Sequence, residues 1–396
     1  MKWASKLSTG DTIDSCIEET SAAVLEQLGG REVHLTVIFV SPQFRGDYPR
    51  IPALIRERMN PGVLIGCSGG GIIGGGREVE QRAAFSMTCA HLPGADIQPF
   101  YSDAVNLPDQ DTAPGVWRDW LGVKAETHPD FIMLADPFSF RGEEFLQGLD
   151  FAYPDSTKVG GLASGSNVGG GNALYLGDEI HAEGLVGVAL SGNIQVDTIV
   201  AQGCRPIGRV LTISKCRNTL LMELEGRTAF EVLEDLIDNA NERDRGLIHT
   251  SLFLGIEMDP LADDPKQGDF LIRNIIGADR EAGAISIGAY LREGQLVQFH
   301  LRDKVMSAED LSLLLSKYSS GENARDARGA LLFSCLGRGQ HLYGKPDHDS
   351  NLFLEKLGDI PLGGFFCNGE IGPVGKTTYL HGYTSSFGIF RSAGNP

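Results

Sequence analysis

A glycine-rich motif occurs three times in this chain and constrains its fold more than any other sequence feature. Each copy consists of a glycine, six further residues, a β-branched residue and a second glycine, and the copies cover residues 66–74, 161–169 and 364–372. Clustered glycines serve left-handed backbone conformations and close approaches between chain segments. A pattern that recurs in this way predicts a chain built from structural repeats.

The sequence around each copy follows one order of elements. A short apolar, β-branched run predicts a strand before each motif, and these strands cover residues 34–40, 131–135 and 330–335. A helical stretch and a second strand follow, and then the motif itself, which we expect to form a loop. Alternating polarity after the motif predicts antiparallel strands at residues 82–91, 173–190 and 377–390. A fourth copy with longer spacing is expected at residues 252–288.

These repeats predict an α/β fold of the mixed α+β kind, with mixed sheets covered by helices and two related domains. Two domains also fit a length of 396 residues. We expect an N-terminal helix within residues 1–29, a first domain at 30–220 and a second at 221–396. Thr228 and Glu231 form a capping box that begins a helix early in the second domain.

Charge and cysteine content exclude several classes of function. A formal net charge of −18 argues against nucleic acid and anionic membranes as partners. The chain has no apolar run of membrane-spanning length and no apolar secretory segment at its start, so we expect a cytoplasmic protein. Seven dispersed cysteines without a CxxC pair predict reduced thiols and no structural zinc site.

The first copy of the motif resembles two catalytic or binding motifs when it is taken alone. Gly69, Gly71 and Gly74 match a dinucleotide-binding loop, but that loop must open a helix and the following sequence predicts strands. Gly66 and Gly70 flank Ser68 as in the nucleophile elbow of a hydrolase. We favour a tight glycine turn, and a hydrolase that uses Ser68 stays an alternative.

Cysteines and charged residues near the third copy are candidates for a site. Cys335 ends a predicted strand close to Arg338, where a lowered pKa would make the thiol reactive, although a buried and inert cysteine is equally compatible. Cys67 lies in the first copy and allows the same two interpretations. A thiol enzyme that uses Cys335 is therefore a second catalytic alternative.

The third copy also contains groups that are able to clamp a zwitterion. Cys367, Asn368 and Glu370 lie among its glycines, and Arg338 with Gly339 follows the preceding strand. Backbone amides, a carboxylate and a guanidinium bind the two ends of such a ligand, and turn capping is the alternative role. The run 347–349, Asp-His-Asp, is expected to be a solvated loop.

The motif segments together resemble the FIST family, which is named for its kinship with an F-box protein and intracellular signal transduction. The matching segments are 66–75, 203–208, 332–339 and 360–373, and the resemblance spans both the N-terminal and the C-terminal FIST domains. It implies a bacterial sensory protein for a small ligand, with amino acids as the usual proposal. Some similar proteins bind haem and sense nitric oxide, but none of the nine histidines here has a distinctive motif.

The resemblance leads to one functional expectation: an intracellular small-ligand-binding sensory protein without catalytic activity. No F-box-like segment precedes residue 30 and no signalling module is fused, so a separate signalling protein is the expected partner. No cofactor is predicted, and a haem-binding gas sensor is kept as an alternative. The predicted ligand-binding residues are Gly66, Cys67, Ser68, Gly69, Arg205, Cys335, Arg338, Gly339, Cys367, Asn368 and Glu370.

Overall fold

The chain forms two compact units, and the second is inserted into the chain of the first. The computed structural model describes residues 1–103, 106–259 and 265–394. Unit 1 comprises Met1–Val200, Leu311–Leu380 and Thr384–Pro396, and unit 2 comprises Ala201–Asp310 and His381–Tyr383. The domain borders expected at residues 30 and 221 stay a prediction.

Unit 1 repeats one order of elements three times: an edge strand, a helix, a strand, a helix, a strand, a β-hairpin and a last strand. The first repeat consists of β1 (Lys2–Ser8), α1 (Ile13–Leu28), β2 (Leu35–Val40), α2 (Ile51–Arg56), β3 (Val63–Ser68), β4 (Gly71–Gly74), β5 (Arg77–Glu80) and β6 (Phe85–His91). The second repeat consists of β7 (Ala95–Ser102), α3 (Pro114–Leu121), β8 (Asp130–Ala135), α4 (Gly142–Ala152), β9 (Lys158–Leu162), β10 (Leu174–Leu176), β11 (Glu179–His181) and β12 (Leu185–Gly192).

The third repeat begins with β13 (Gln195–Gln202) and is then interrupted by unit 2. The elements of the insertion are β14 (Cys204–Arg217), β15 (Leu220–Leu224), β16 (Arg227–Thr228), α5 (Ala229–Asn239), α6 (Glu242–Ser251), β17 (Leu252–Glu257), β18 (Phe270–Asp279), β19 (Ala284–Ile287) and β20 (Leu296–Arg302). The repeat resumes with α7 (Lys304–Ser319), β21 (Ala327–Cys335), α8 (Gly339–Tyr343), α9 (His348–Leu357), β22 (Leu362–Cys367), β23 (Glu370–Val374), β24 (Thr377–His381) and β25 (Thr384–Arg391). Short 3₁₀ helices cover Pro42–Arg50, Ala125–Thr127 and Glu322–Asp326.

Local sequence explains where the helices begin and end. In α1 the Thr12 side chain caps the amide of Ser15, and Gly29 ends the helix with φ 67°. The predicted capping box at the start of α5 is confirmed, because Thr228 and Glu231 bond each other's backbone. No helix in the described part of the chain is long and apolar enough to cross a membrane.

Each repeat contributes one six-stranded mixed sheet with the same strand order. The orders are β11-β10-β3-β2-β6-β1, β24-β23-β9-β8-β12-β7 and β5-β4-β22-β21-β25-β13. In each sheet two strands of one repeat pair in parallel, namely β2 with β3, β8 with β9 and β21 with β22. The predicted mixed α+β class with repeated units is thereby confirmed.

The three repeats exchange their hairpins in a cycle. Strand β4 of the first repeat pairs with β22 of the third, β23 of the third pairs with β9 of the second, and β10 of the second pairs with β3 of the first. Every sheet is therefore completed by a hairpin from another repeat. One apolar core cluster accordingly contains residues of all three sheets, including Val37, Ile132 and Leu331.

The same backbone geometry recurs in all three sheets and explains the first glycine of the motif. Gly66, Gly160 and Gly364 face the backbone of the parallel neighbour, where a Cβ atom would lie 2.3, 1.8 and 1.9 Å from its carbonyl oxygen. The exchanged hairpins place Tyr175, Ile371 and Ile73 opposite these glycines. Only glycine allows so close an approach of two strands.

Three details of the predicted repeat are corrected by this register. The glycine of the second copy is Gly160 rather than Gly161. The hairpin residue of the second repeat that corresponds to Ile73 and Ile371 is Tyr175, which pairs with Gly66, rather than Val168, which is exposed in an added loop. The motif is not a loop throughout, since its first glycines lie within β3, β9 and β22. The fourth copy is wrong because β17 and β18 pair antiparallel, whereas the repeat requires parallel strands.

Unit 2 is built on an antiparallel sheet that closes on itself. Its strand order is β14-β20-β17-β18-β19-β15-β16, and β14 also pairs with β15. A separate apolar cluster fills its interior, with Leu224, Leu254 and Phe299 among its buried residues. Because β14 and β15 pair with each other, the sheet closes, and all of its strands lie in one continuous segment of the chain.

Candidate functional site in unit 1

The carboxyl ends of the parallel strands from all three repeats meet at Ser164, directly after β9. Its amide donates to the Ser68 carbonyl oxygen (N–O 3.1 Å), and its hydroxyl donates to the Phe366 carbonyl oxygen. The same hydroxyl accepts from the Gly70 amide (2.9 Å). The Asn368 side-chain amide donates to the carbonyl oxygen of Ala163, the residue before Ser164 (3.0 Å). The three glycine motifs are thus joined at one point.

One carboxyl group and three thiols lie together near this junction, and we refer to Cys67, Cys335, Cys367 and Glu370 as the thiol–carboxyl cluster. The Cys367 thiol interacts electrostatically with the other three members. Cys335 and Cys367 are register partners at the last positions of β21 and β22. Cys67, Cys367 and Glu370 are fully buried, whereas Cys335 is half-buried.

The Glu370 carboxyl is only partly satisfied by hydrogen bonds. Its Oε2 accepts from the amide (3.1 Å) and the hydroxyl (2.8 Å) of Thr384. Its Oε1 is buried and makes no regular hydrogen bond within the described residues, although the Cys335 thiol lies beside the carboxyl. Burial raises the pKa of Glu370 to about 8, against the opposing effects of Thr384, Arg338 and Cys335. The carboxyl is therefore predominantly protonated at pH 7.

A second group of polar residues, here called the ion-pair cluster, consists of Glu78, Arg338, His348, Asp349 and Ser385. The buried guanidinium of Arg338 donates from Nε to Asp349 Oδ2 (3.0 Å) and from Nη2 to Oδ1 (3.2 Å). Asp349 also accepts from the Ser385 hydroxyl (2.6 Å) and bonds His348 Nδ1 (2.9 Å). Burial alone would raise the pKa of Asp349, but Arg338 and the other donors hold it well below its usual range.

Glu78 reaches this cluster from β5, the exchanged hairpin of the first repeat. Its Oε1 accepts from the Ser350 amide (2.7 Å), and its Oε2 is buried without a hydrogen bond among the described residues. Burial, followed by the nearby charge of Asp349, raises the pKa of Glu78 to about 8. Both clusters therefore hold a carboxyl group that favours its neutral form.

Ten of the eleven predicted site residues lie in unit 1, and they have different surroundings there. Four of them, Cys67, Cys335, Cys367 and Glu370, form the thiol–carboxyl cluster, and the exposed Asn368 lies beside the junction. The other unit 1 residues are Gly66, Ser68, Gly69, Arg338 and Gly339. Arg205 lies in unit 2, where its guanidinium bonds Asp303 (3.0 Å) and Asp244. Their role in binding a ligand stays a prediction.

The contacts of Arg338 alter the picture of a two-ended clamp. Its Nε and Nη2 are engaged by Asp349, so Arg338 acts on Glu370 through its charge and lowers the pKa of that carboxyl. Gly339 has φ 59°, and a Cβ atom there would lie 2.5 Å from Glu80 Oε1. This glycine therefore permits the close contact between α8 and β5.

Ser68 does not have the surroundings of a hydrolase nucleophile. It is buried, donates to Asn172 Oδ1 (3.2 Å) and accepts from the Ala173 amide (3.0 Å). The chain then passes through Gly69 and Gly70 into β4 rather than into a helix. Both the nucleophile elbow and the dinucleotide loop require a helix at this point.

Sequence reasoning missed several residues of the ion-pair cluster. The run 347–349 was expected to be a solvated loop, and this is wrong: His348 and Asp349 are buried in the first turn of α9. Glu78 and Ser385 come from strands remote in sequence, and so does Thr384, which bonds Glu370 of the other cluster. The local signal was a pair of aspartates, Asp347 and Asp349, which lie nine and eleven residues after Arg338.

Two cavities lie away from both clusters, and no metal-binding group is found among the described residues. A cavity of about 530 Å³ in unit 1 lies between β13 and the end of α7, and one of about 300 Å³ in unit 2 lies between α5 and β14. Among the described residues, no group of three or more His, Cys, Asp or Glu side chains is arranged to hold a metal ion.

Comparison with known proteins identifies the family. Residues 34–227 match the FIST N domain and residues 229–373 match the FIST C domain. An uncharacterized protein of Mycobacterium tuberculosis is 34% identical over 384 residues, which cover 97% of this chain and 98% of that protein. An uncharacterized protein of Mycobacterium bovis is 32% identical over 383 residues, with 97% of both chains covered. The chain therefore belongs to the FIST family.

A more distant relative supports the expected F-box kinship weakly. An F-box/LRR-repeat protein of Arabidopsis thaliana is 26% identical over 234 residues, which cover 50% of this chain and 43% of that protein. FIST domains are generally regarded as sensory domains in signal transduction. A sensory family is consistent with a protein that is not an enzyme.

Proposed function

We propose that this protein is an intracellular sensor that binds a small polar metabolite at the thiol–carboxyl cluster of unit 1, and that an amino acid or a related compound is the ligand. The observation that supports it most is the buried Oε1 of Glu370, which makes no regular hydrogen bond among the described residues. A buried carboxyl oxygen with only a thiol, which is a weak donor, beside it costs stability. A ligand that supplied the partner would recover that cost.

The surroundings of Glu370 support a ligand that carries an ammonium group. The carboxyl is protonated at pH 7, and a positive charge beside it would favour the ionised form. The cluster comes nearest to solvent at the strand ends, where Leu336 and Asn368 are exposed and Cys335 is half-buried, so a ligand would enter from this side. Binding of an ammonium group should therefore release a proton from Glu370.

Calorimetry of the full chain tests this proposal. Purified protein is screened against the twenty amino acids by thermal shift, and each hit is titrated at pH 7 in two buffers with different ionisation enthalpies. We expect binding with release of up to one proton, and Glu370→Gln should weaken it at least about tenfold and abolish the proton release. Binding without proton release, or a Glu370→Gln variant that binds like the wild type, would contradict the proposal.

Asp130 provides a matched control for that variant. It is another buried carboxyl with a raised pKa, located in the second repeat and bonded to the amides of Thr157 and Val196. Asp130→Asn changes a buried acid to an amide as Glu370→Gln does, but it should leave ligand affinity unchanged. A visible absorption band in the protein as purified would instead indicate haem.

We further propose that the bound state is passed to a separate signalling protein. The support is the sensory character of the family, whose two domains match residues 34–227 and 229–373. Affinity purification with and without the amino-acid hit tests this. A partner retained in only one of the two states is the expected result, and equal retention in both would contradict it.

A further inference from the structure

Cys335 and Cys367 occupy neighbouring positions on two parallel strands. They are register partners, and adjacent strands lie about 4.7–4.9 Å apart. This spacing falls within the Cα separations of about 4.4–6.8 Å that a disulfide spans. Register partners project to the same face, and Phe333 and Phe365, two residues earlier on the same strands, both belong to the shared core.

The two thiols differ in their access to solvent. Cys335 is half-buried, whereas Cys367 is fully buried and burial raises the pKa of its thiol well above the usual value. Arg338 interacts electrostatically with Cys335, and a nearby guanidinium favours the anionic sulfur that reacts with oxidants. A solvent-derived oxidant therefore meets Cys335 first, and Cys367 is placed to react second.

The Cys367 sulfur also has a glycine beside it. A Cβ atom on Gly161 would lie 2.4 Å from Cys367 Sγ, so only a glycine at this position accommodates the sulfur. Cys67 is the third thiol of the cluster, but it is fully buried and belongs to β3 of another sheet. The register therefore favours a bond between Cys335 and Cys367 over one with Cys67.

We propose that Cys335 and Cys367 form an oxidation site that hydroperoxides convert into an intrachain disulfide. The Cys335 thiolate attacks the peroxide, the O–O bond breaks, and a Cys335 sulfenic acid forms. The leaving hydroxide or alkoxide takes up the proton that the thiol had lost to solvent, and departs as water or an alcohol. Cys367 sulfur then attacks Cys335 sulfur, the S–S bond forms, and the S–O bond breaks. The leaving hydroxide takes the Cys367 proton as water. The two thiols are oxidised by two electrons in total and one peroxide is reduced, and the proposal does not depend on the ligand described above.

Peptide mapping of the full chain tests the proposal. The reduced protein is exposed to hydrogen peroxide, the remaining thiols are alkylated, and the tryptic digest is analysed by mass spectrometry with and without dithiothreitol. Each thiol lies in its own tryptic peptide, 329–338 for Cys335 and 357–376 for Cys367. We expect these two peptides to be linked, with the loss of two hydrogens, and to separate again on reduction.

Three variants and one internal control make the outcome decisive. Cys335→Ser and Cys367→Ser should each abolish the linked peptide, and Cys67→Ser should retain it. Cys216 in unit 2 is half-buried like Cys335, and it should be consumed roughly tenfold more slowly. A link to Cys67 in the wild-type digest, or oxidation of Cys335 with no link, would overturn the proposal without reliance on any variant.

Discussion

Two carboxyl groups in unit 1 each keep one buried oxygen outside the hydrogen-bond network of the described residues. Glu370 and Glu78 both have a pKa raised to about 8, with burial as the main cause. A neutral carboxyl is far less costly to bury than a carboxylate. The fold therefore tolerates both groups because each is protonated near neutral pH. The free energy of unfolding must consequently depend on pH.

Glu370→Gln should remove part of that pH dependence. The folded protein keeps the Glu370 proton up to about pH 8, whereas an unfolded glutamate ionises near pH ~4.3. Between these values the folded state binds more protons, so its free energy of unfolding falls as pH rises. Glutamine does not titrate. Relative to the wild type, the free energy of unfolding of the variant should therefore rise by about 4 kcal/mol between pH 5 and pH 9.

Urea unfolding at pH 5, 7 and 9 measures this difference. Glu355→Gln is the control, because Glu355 is an exposed residue of the neighbouring helix α9 and its substitution should leave the slope unchanged. Glu78 remains in both proteins and maintains a residual dependence of the same sign. Parallel pH profiles for the wild type and Glu370→Gln would show that this carboxyl is already ionised in the folded state.

Among the elements, the parallel strand pairs depend on the first glycine of each motif. Gly364→Ala would place a Cβ atom 1.9 Å from the Leu332 carbonyl oxygen, so β22 must move away from β21. We expect a loss of about 3 kcal/mol, at the upper end of overpacking effects. Thermal unfolding monitored by circular dichroism measures it.

Gly115→Ala is the matched control for that substitution. Gly115 lies in α3 and a Cβ atom there would meet nothing within 4 Å, so alanine should leave stability unchanged or raise it by about 0.5–1 kcal/mol. Equal melting temperatures for Gly364→Ala and the wild type would mean that β22 moves away from β21 without a measurable loss of stability. The tight approach would then not explain why the glycine recurs.

The strand pairs also mark the limit of what the sequence predicts. Short apolar runs before each glycine motif are local signals: β2 and β8 were predicted within one residue of their observed bounds, and the predicted start of β21 was three residues late. The partner of each exchanged hairpin is not a local property, because Gly74 on β4 pairs with Gly363 on β22. Val168 and Gly169 fitted the sequence pattern of the motif, but they lie in an added loop and belong to no strand.

The candidate site, like the strands, could be predicted only where its residues give a local signal. Cys367, Asn368 and Glu370 stood out because polar residues are unusual within a glycine-rich motif. Their partners Thr384 and Arg338 act on one carboxyl from different segments. Asp349 was missed because a helix start with two acidic residues has the composition of a solvated loop, and only the tertiary fold buries it against Arg338.

For the molecule as a whole, the predicted domains and the observed insertion divide the chain differently, because unit 2 begins at the end of β13 and ends within α7, at Asp310. Residues 201–310 contain a closed sheet with its own apolar core. Residues 221–396, the predicted second domain, lack β14, which pairs with both β20 and β15. They also lack β4 and β9, the partners of β22 and β23. Unpaired strand edges of that kind favour aggregation.

The fragment 201–310 should therefore fold alone, and the fragment 221–396 should not. The first loses only Tyr383 and its two neighbours from unit 2, which removes a hydrogen bond to Asn274 Oδ1 (2.7 Å) and ring contact with Phe253. These losses should cost about 1–2 kcal/mol without preventing folding. Dispersed amide resonances and a cooperative thermal transition are expected for 201–310, and insoluble or unfolded material for 221–396. The reverse result would mean that the borders predicted from the sequence, and not the insertion, define the folding units.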